Sequence, residues 1–337
     1  MSVRVGIMGF GRIGRNVFRI AQKSKDIDVI AIADVADPMA LEYLLRFDTV
    51  HGRFEEPFSV KEGAMYIRGK QIKMLTAKEP GDVNWNDLGV EIVVEATGKY
   101  RTRDFLQRHL DAGARQVVLT VPPRDQIDFT VVMGVNDHQL RSEHRIVSNA
   151  SCTANALAPI AKILNGAFGI ESGFLTTVHA YTNDQRLADV PHTELRRSRA
   201  AAENIIPAVT WSTKAVERIL PEMKGKLDGV AMNVPIPDGS TLDFVTLMKR
   251  PVTATEVNEV VWSAAQSDYK TIVEYTDQPI VSSDVIGNSH SAIFDSLSTQ
   301  VIGGNLLKTL TWYDNGWGYA TRVVELIHRL DDLAEGR

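Results

Sequence analysis

Residues 3–34 read VRVGIMGFGRIGRNVFRIAQKSKDIDVIAIAD, and this stretch decides the fold. A short β-rich run up to Ile7 leads into a glycine-rich turn. An amphipathic helix is predicted over Arg15–Gln22, and a second apolar run ends at Asp34. Strand, turn, helix and strand in this order predict a βαβ unit with a right-handed crossover.

The turn between this strand and helix has the pattern G-x-G-x-x-G, formed by Gly9, Gly11 and Gly14. In a dinucleotide-binding turn, the first glycine makes the tight turn and the second lets the backbone approach the pyrophosphate. The third lets the helix pack closely on the sheet, and the pyrophosphate lies at the helix N-terminus. Asp34, twenty residues after Gly14, is placed to bond the adenine-ribose hydroxyls. The stretch therefore predicts a dinucleotide site over the alternative of a glycine-rich turn without a ligand.

The pattern of the chain changes at about residue 150. Before it, apolar runs alternate with helical stretches, which is typical of a parallel sheet covered on both faces. The strand candidates there are Glu91–Glu95, Gln116–Thr120 and Thr130–Met133, and the clearest helix is Arg103–Ala112. After it, runs with hairpin-like spacing predict a mostly antiparallel sheet, with strands at Phe174–His179, Gly229–Val234, Thr241–Met248, Thr271–Tyr275 and Leu306–Tyr313. Helices are predicted over residues 152–165, Lys214–Leu220, Glu256–Ala265 and Trp317–Leu333.

These patterns predict an α/β protein with two domains. Residues 1–150 form an N-terminal Rossmann domain with a doubly wound parallel sheet that binds the dinucleotide. Residues 151–315 form a mostly antiparallel α+β catalytic domain. Residues 316–337 form a C-terminal helix, which we expect to pack back on the first domain.

The composition excludes several classes of protein. The chain has 337 residues, a net charge of −5 and a single cysteine. Such a balance offers no basic face for nucleic acid, and no apolar run approaches the length of a membrane span. The N-terminus has no signal-peptide layout, and one cysteine supplies neither an internal disulfide nor a cysteine-rich metal site. We therefore expect a soluble, cytoplasmic protein with no metal, nucleic acid or membrane partner.

Cys152, the single thiol, lies at the start of a predicted helix and follows Ser151. That position favours the thiolate through the helix dipole and the unpaired N–H groups of the first turn. A thiol nucleophile also needs a base from a distant part of the chain, and His179 ends a β-rich run. Two alternatives stay open on these residues alone, because a lone cysteine is more often a small buried hydrophobe and His179 an ordinary buried histidine.

Longer blocks of sequence carry a resemblance that covers almost the whole chain. They are GFGRIGR (9–15), YLLRFDTVHGRF (43–54), EATGKY (95–100), SNASCTAN (148–155), HAYTNDQ (179–185), LRRSRAAAENIIP (195–207), LPEMKGKLDG (220–229) and WYDNGWGY (312–319). In these blocks and in their order the chain resembles the glyceraldehyde-3-phosphate dehydrogenase family. The erythrose-4-phosphate dehydrogenases share the same layout and are the nearest alternative.

The resemblance implies the NAD-dependent oxidation of a small phosphorylated aldehyde, glyceraldehyde 3-phosphate, as in glycolysis. Cys152 would attack the aldehyde carbon, while His179 would raise its thiolate character and later handle the proton on the carbonyl oxygen. The Cys152 backbone N–H, together with His179, would stabilise the oxyanion. Hydride transfer to the nicotinamide would leave a thioester, which inorganic phosphate attacks in the phosphorylating reaction.

The resemblance also implies which residues bind the cofactor and the substrate. Those that match the family's NAD contacts are Gly9, Gly11, Arg12, Ile13, Gly14, Asp34, Lys78, Thr97, Thr120 and Asn315. Those that match its substrate and phosphate contacts are Ser151, Thr153, Thr182, Asp184, Arg197 and Thr210, with Trp211 and Asn233 at two further phosphate positions. The irregular stretch 181–202 corresponds to the family's S-shaped loop, which lies at a subunit contact beside the cofactor, so we expect a homotetramer.

Two features favour NAD over NADP. Asp34 would repel a 2′-phosphate, and the following Val35 and Ala36 supply no arginine to bind one. The pair Val190-Pro191 in the S-shaped loop resembles the NAD-specific type of the family. We therefore predict NAD as the cofactor.

Some positions depart from the family pattern. Asn233 stands where an arginine usually binds phosphate, and Trp211 stands where a glycine is usual. The other departures are Met8, Ala154, Ala156 and Gly316. One interpretation is neutral drift in an ordinary phosphorylating enzyme. Another is that aldehyde oxidation is retained, with the phosphate acceptor bound weakly or replaced by water or another nucleophile. A third hypothesis is a catalytically silent NAD-binding paralogue.

Overall fold

The computed structural model describes residues 2–336 and divides them into two compact units. Unit 1 comprises residues 2–131, 137–151 and 320–336. Unit 2 comprises residues 132–136 and 152–319. Within the described residues, no helix combines the length and the apolar character that crossing a bilayer requires.

Strands that alternate with helices build unit 1. In chain order, its elements up to residue 148 are β1 Val3–Met8, α1 Arg12–Ala21, β2 Ile27–Asp34, α2 Pro38–Arg46, β3 Phe47–Asp48, β4 Gly52–Arg53, β5 Phe58–Lys61, β6 Ala64–Ile67, β7 Lys70–Thr76, α3 Trp85–Leu88, β8 Ile92–Glu95, α4 Arg103–Asp111, β9 Gln116–Leu119, β10 Phe129–Thr130 and β11 Ile146–Ser148. A short 3-10 helix spans Asp137–Gln139.

The main sheet of unit 1 has nine strands over the described residues, in the order β10-β11-β9-β8-β1-β2-β7-β6-β5. Neighbours from β10 to β7 are parallel, and β7, β6 and β5 form an antiparallel extension. The predicted Rossmann sheet is confirmed. Since β2 lies on one side of β1 and β8 on the other, the strand order reverses at β1. Ligands of such sheets bind at this switch point, beside the carboxyl ends of the strands.

Continuous apolar runs explain why the central strands of this sheet are buried. All four residues of β8, with the sequence IVVE, are buried, as are all four of β9, with the sequence QVVL. Runs of this kind are typical of parallel strands covered on both faces, and each buried valine contributes about 1.5–3 kcal/mol. The sheet centre thereby fixes the positions of the loops that follow β1 and β8.

The strand predicted over Thr130–Met133 is wrong beyond its first residue, because β10 ends at Thr130. The Val132 N–H donates to Asn136 Oδ1 at 2.8 Å, and Gly134 has a φ of +78°. The chain therefore turns instead of pairing with a strand. The sequence reasoning also missed α2 and the antiparallel strands β5 to β7.

Unit 2 begins with a long helix and continues with long strands. Its elements are α5 Cys152–Phe168, β12 Ile170–Ala180, β13 Ile206–Val209, α6 Ser212–Ile219, β14 Leu227–Val234, β15 Ser240–Met248, α7 Ala254–Gln266, β16 Val273–Thr276, β17 Ala292–Ile302, β18 Leu306–Tyr313 and the start of α8 Trp317–Ala334. Short 3-10 helices span Leu195–Ser198, Pro221–Met223 and Ser282–Val285.

The sheet of unit 2 has the strand order β13-β14-β12-β15-β18-β17-β16. Its pairs are antiparallel except for β14 with β12 and β16 with β17, so the predicted, mostly antiparallel sheet is confirmed. The parallel pairing of β12 with β14 places His179 in register with Asn233. Side chains of strand partners in register project to the same face of a sheet. This pairing brings together two residues that are far apart in the chain.

The carboxyl part of α8 belongs to unit 1. Asp331 accepts a hydrogen bond from the Arg115 guanidinium at 3.2 Å, and His328 bonds the Ser24 hydroxyl at 3.3 Å. Leu326 and Leu330 are fully buried. Apolar and polar contacts therefore both hold this helix within the unit.

We expect Gly14→Ala to destabilise unit 1 far more than Gly11→Ala. A Cβ at Gly14 would lie 2.1 Å from the Gly9 carbonyl oxygen, whereas a Cβ at Gly11 would meet no atom within 4 Å. Overpacking against backbone costs about 1–3 kcal/mol, and an alanine at the helix N-cap costs less than about 1 kcal/mol. Urea unfolding without cofactor, followed by circular dichroism, measures both. Equal unfolding midpoints for the two variants would contradict the close packing of Gly14.

Candidate active site

The glycine-rich turn of unit 1 has room for a side chain at one of its glycines and no room at the other two. Gly9 has a φ of +89°, and a Cβ there would lie 2.6 Å from the Thr97 backbone nitrogen. Gly14 packs against the Gly9 carbonyl, while Gly11 faces open space and begins α1 without a side-chain cap. A pyrophosphate needs this combination of an open backbone and an uncapped helix N-terminus. The turn therefore fits the group that the sequence predicts.

Asp34 is held at the end of β2 beside this turn. Its Oδ2 atom accepts from the Phe10 N–H at 2.6 Å, and its Oδ1 atom accepts from the Ala36 N–H at 2.9 Å. Each carboxylate oxygen retains capacity for a further hydrogen bond, so the group can accept from ribose hydroxyls. Its negative charge opposes a 2′-phosphate, in agreement with the choice of NAD.

Glu95, which the sequence reasoning did not assign to the site, organises the loop after β8. Trp85 Nε1 donates to His109 Nδ1 at 3.1 Å, so Nε2 carries the proton that His109 shares with Glu95 Oε2 at 3.1 Å. The other oxygen, Oε1, accepts from the Thr97 N–H at 2.9 Å and from the Thr97 hydroxyl. Glu95 and His109 are fully buried. A glutamate that closes an otherwise apolar strand is the sequence signal that would have found it.

The remaining predicted cofactor residues occupy several elements. Arg12 and Ile13 form the first turn of α1. Thr120 follows β9 and donates its hydroxyl to the Glu95 carbonyl at 3.1 Å, and Lys78 is exposed after β7. Asn315 lies in unit 2, where its Oδ1 atom accepts from the Ser240 hydroxyl at 2.8 Å.

In unit 2, the predicted nucleophile and base lie together. Cys152 is the first residue of α5 and is partly buried, and His179 lies near the end of β12. Cys152 Sγ is 3.4 Å from His179 Nε2. The distance suits a hydrogen bond between a thiol and an imidazole, which is the geometry of a base that activates a cysteine.

The backbone sets the tautomer of His179. Its Nδ1 atom is 2.6 Å from the Ala180 carbonyl oxygen, which can only accept. The proton of the neutral ring therefore lies on Nδ1, and the lone pair of Nε2 faces Cys152 Sγ. His179 is thus oriented to take the thiol proton.

Two opposing effects act on the ionisation of the Cys152 thiol. Burial raises the pKa of the Cys152 thiol to about 11. The Thr153 backbone and hydroxyl groups lower this pKa by hydrogen bonding, and the Asp238 carboxylate raises it. The cost of desolvating the thiolate exceeds its stabilisation by the helix N-terminus, because a charged sulfur is costly where water is excluded. The thiol is therefore protonated at neutral pH until a base takes its proton, and His179 Nε2 lies within reach of it.

Tyr313 supports both members of this pair. Its hydroxyl bonds the hydroxyls of Thr153 and Thr177, each at 3.0 Å, and its ring packs edge-on to the His179 ring at 6.0 Å between centroids. Burial raises the pKa of Tyr313, so the phenol stays neutral and holds its hydrogen bonds. Tyr313 was not among the predicted site residues, although it lies in the block WYDNGWGY (312–319).

The predicted phosphate residues of the loop after β12 form one hydrogen-bonded network. Thr182 and Arg197 both bond the Asp184 carboxylate, and Arg197 Nε also donates to Glu194 at 3.1 Å. Gln185 Oε1 accepts from the Thr182 N–H at 3.0 Å and from Asn233 Nδ2 at 2.6 Å. Gln185 was not among the predicted site residues. Its role follows from the pairing of β12 with β14, which brings Asn233 to it.

Thr210 and Trp211 lie at the start of α6. Trp211 is the N-cap residue and is 72% exposed, and the Thr210 hydroxyl accepts from the Ser212 N–H at 3.2 Å. The Trp211 ring therefore points largely into solvent. Ser151, the other predicted substrate residue, precedes Cys152 directly and belongs to unit 1.

Family models match the chain in two places. The model described as glyceraldehyde 3-phosphate dehydrogenase, NAD binding domain, matches residues 3–103, and the model of the C-terminal domain of the same enzyme matches residues 151–315. The chain belongs to the glyceraldehyde-3-phosphate dehydrogenase family. As a member of that family, it is an NAD-dependent oxidoreductase.

Curated relatives named glyceraldehyde-3-phosphate dehydrogenase match nearly end to end. The protein of Geobacillus stearothermophilus is 48% identical over 327 residues, which are 97% of this chain and 97% of the relative. That of Borreliella burgdorferi is 49% identical over 335 residues, which are 97% of this chain and 99% of the relative. The protein of Streptomyces coelicolor is 48% identical over 329 residues, which are 97% of this chain and 98% of the relative. The resemblance stated from the sequence blocks is confirmed.

We expect His179→Gln to slow the alkylation of Cys152 by iodoacetamide at pH 7 by about tenfold or more, because only the thiolate reacts. Without the proton acceptor, the rise of the rate with pH should move toward the raised thiol pKa of about 11. Mass spectrometry at timed intervals measures the alkylation rate at several pH values between about 6 and 10. This range contains the ordinary thiol pKa. His138→Gln, in an exposed 3-10 helix of unit 1, is the matched control. An unchanged pH profile in His179→Gln would show that the imidazole does not activate the thiol.

Proposed function

We propose that the chain oxidises glyceraldehyde 3-phosphate with NAD through a thioester on Cys152. The observation that carries this proposal is the 3.4 Å contact between Cys152 Sγ and His179 Nε2, with Nδ1 tied to the Ala180 carbonyl. The names of the curated relatives support the choice of aldehyde. The alternatives are erythrose 4-phosphate as the substrate and a silent NAD-binding paralogue.

In the first step, the Cys152 proton passes to His179 Nε2 and the thiolate sulfur attacks the aldehyde carbon. A C–S bond forms while the carbonyl π electrons move to the oxygen. The Cys152 backbone N–H, at the start of α5, stabilises this oxyanion, which then takes the proton from His179. The product of the step is a neutral thiohemiacetal.

In the second step, His179 Nε2 removes the hydroxyl proton of the thiohemiacetal. NAD, when bound, would supply the hydride acceptor with which the same carbon is oxidised to the thioester. We propose that the cofactor is held by Gly9, Gly11, Arg12, Ile13, Gly14, Asp34, Lys78, Thr97 and Thr120, with Asn315 at the nicotinamide. The Oδ1 atom of Asn315 already accepts from Ser240, so its amide N–H groups are the ones presented to a carboxamide.

We propose that Arg197 and Thr182 bind the phosphate of the substrate, with Ser151, Thr153 and Thr210 as further contacts. Arg197 now pairs with Asp184 and Glu194, both of which are exposed. Exposed ion pairs of this kind contribute about 0–1 kcal/mol, so a phosphate that bonds both guanidinium N–H groups displaces them at small cost.

Cys152→Ser should abolish NAD reduction by glyceraldehyde 3-phosphate, with a fall in kcat of about a thousandfold or more. Because Cys152 is the single cysteine, one iodoacetamide per chain should abolish the activity of the unsubstituted protein as well. NAD titration of Cys152→Ser by protein fluorescence is the control for folding. Normal NAD binding with no oxidation of either aldehyde by the unsubstituted protein would identify the silent paralogue, and faster oxidation of erythrose 4-phosphate would change the substrate.

We also propose a homotetramer. In the S-shaped loop, residues 181–202, Leu187 is 87% exposed and Leu195 is 83% exposed. Large apolar side chains exposed in one segment are typical of a surface that another subunit covers. Light scattering should give about four times the 37.3 kDa chain mass. Leu187→Asp/Leu195→Asp should dissociate the assembly, whereas Trp262→Asp, at an exposed apolar residue of α7, should not. A monomer at micromolar concentration contradicts the proposal.

A further inference from the structure

We propose that Trp85, His109 and Glu95, here called the buried triad, are positioning residues for the dinucleotide. Their hydrogen bonds run in one direction and hold the backbone that supports the glycine-rich turn. The inference rests on the proposed placement of NAD at that turn. It adds to the placement, since none of these three side chains is a proposed cofactor contact. All three are fully buried within unit 1.

Trp85 sets the direction at one end of the buried triad. Its ring packs against β1, where a Cβ at Gly6 would lie 2.6 Å from the indole Cζ3 atom. The close packing holds the orientation of the ring, and the indole Nε1 atom donates to His109 Nδ1 at 3.1 Å. Since an indole N–H only donates, Nδ1 accepts and the proton of the neutral imidazole lies on Nε2. The direction of the first hydrogen bond thus fixes that of the second.

Glu95 meets a donor at both of its oxygens. Oε2 accepts from His109 Nε2 at 3.1 Å. Oε1 accepts from the Thr97 N–H at 2.9 Å and from the Thr97 hydroxyl. The imidazole N–H and the backbone N–H only donate, so residue 95 must offer two acceptors. A carboxylate offers them, and these donors replace the hydration that a buried carboxylate loses.

Thr97 carries this order from the interior to the surface of unit 1. The residue is exposed, yet its N–H and its hydroxyl both bond the buried carboxylate of Glu95. The same hydroxyl accepts from the Lys99 N–H at 3.1 Å, which closes a short turn. The conformation of an exposed turn is therefore set by a buried side chain.

The glycine-rich turn lies directly against this exposed turn. A Cβ at Gly9 would lie 2.6 Å from the Thr97 nitrogen and 2.8 Å from its Cα, so the two backbones are in contact. The Ala96 N–H donates to the Met8 carbonyl at 2.7 Å and joins the same two segments. Because such contacts are close-packed, a shift of Thr97 displaces Gly9. The backbone that a pyrophosphate approaches would move with it.

Glu95→Gln cannot complete these hydrogen bonds in either orientation of the new amide. With the NH₂ group toward His109, two donors face each other, and a switch of the ring proton to Nδ1 only moves the conflict to Trp85. With the NH₂ group toward Thr97, it faces the Thr97 N–H. A buried donor without an acceptor remains in each arrangement, whereas the carboxylate leaves none.

The test is NAD binding by titration calorimetry, which does not depend on turnover. We expect Glu95→Gln to raise the Kd for NAD by about tenfold, which corresponds to 1.4 kcal/mol. Glu91→Gln is the matched control, because Glu91 precedes the opposite end of β8 and accepts from the Arg4 N–H and the Arg115 guanidinium, each at 3.0 Å. Its Kd should stay within about twofold. No loss in Glu95→Gln, or an equal loss in both variants, would overturn the inference.

A second substitution separates hydrogen-bond direction from packing. In Trp85→Phe/Glu95→Gln no indole N–H faces His109 Nδ1, so the ring holds its proton there and accepts from the new amide at Nε2. The amide oxygen then accepts from Thr97. We expect this double variant to bind NAD at least about threefold more tightly than Glu95→Gln, although its core is less well packed. NAD binding that is no tighter than in Glu95→Gln would contradict the directional role of the buried triad.

Thr97→Val provides the test if Glu95→Gln does not fold, because Thr97 is exposed. The substitution keeps the shape of the side chain and removes the hydroxyl between Glu95 and the Lys99 N–H. In the cofactor-free protein, we expect hydrogen exchange of the amides of residues 97–99 to be about tenfold faster, and NAD binding to be at least about threefold weaker. Thr102→Val, at an N-cap without a side-chain hydrogen bond, is the control. Weaker NAD binding with unchanged exchange would show a direct contact of the hydroxyl and overturn the positioning role.

The placement of the cofactor is tested separately by Gly11→Glu, which puts a carboxylate at the open position of the glycine-rich turn. Unchanged NAD affinity in Gly11→Glu would refute that placement and the inference with it. Weakened NAD binding in Gly11→Glu, together with unchanged binding in Glu95→Gln, would overturn the positioning role and leave the proposed NAD site intact.

Discussion

The arrangement of the Cys152–His179 pair depends on the hydrogen bond between His179 Nδ1 and the Ala180 carbonyl. A carbonyl accepts but cannot donate, so it determines which nitrogen of the ring carries the proton. The lone pair of Nε2 then faces a thiol whose own surroundings oppose ionisation. With the opposite tautomer, Cys152 would be a partly buried thiol with no proton acceptor at Nε2. A main-chain contact at the end of one strand thus orients the base of the proposed nucleophile.

The glycine-rich turn and the Cys152–His179 pair are organised by different means. In unit 1, local chain geometry is sufficient, because the spacing of Gly9, Gly11 and Gly14 both makes the turn and leaves one open position. In unit 2, the site is assembled from strands that meet only after folding, such as β12 and β14. A cofactor-binding turn can therefore be encoded by a few consecutive residues. The residues of the proposed reaction centre, in contrast, come together only when the sheet has formed.

This difference explains what could be predicted from the sequence. The glycine turn, Asp34 and the pair of Cys152 with His179 are carried by short blocks, so their positions could be expected. The link between Gln185 and Asn233 could not, because it depends on a parallel pairing between distant segments. The net rise in the pKa of Cys152 could not be predicted either, because burial is a property of the folded surroundings and not of the position in a helix. Likewise, Asn136 ended a strand that the apolar pattern alone extended.

That early end has a consequence for the behaviour of the protein in concentrated solution. The strand β10 terminates the unit 1 sheet and is two residues long. A longer edge would present a row of unpaired N–H and C=O groups on which a strand from another molecule could add. By accepting from the Val132 N–H, the Asn136 side chain satisfies one donor that a longer edge would expose. This internal hydrogen bond thus limits strand addition at the β10 edge of the sheet.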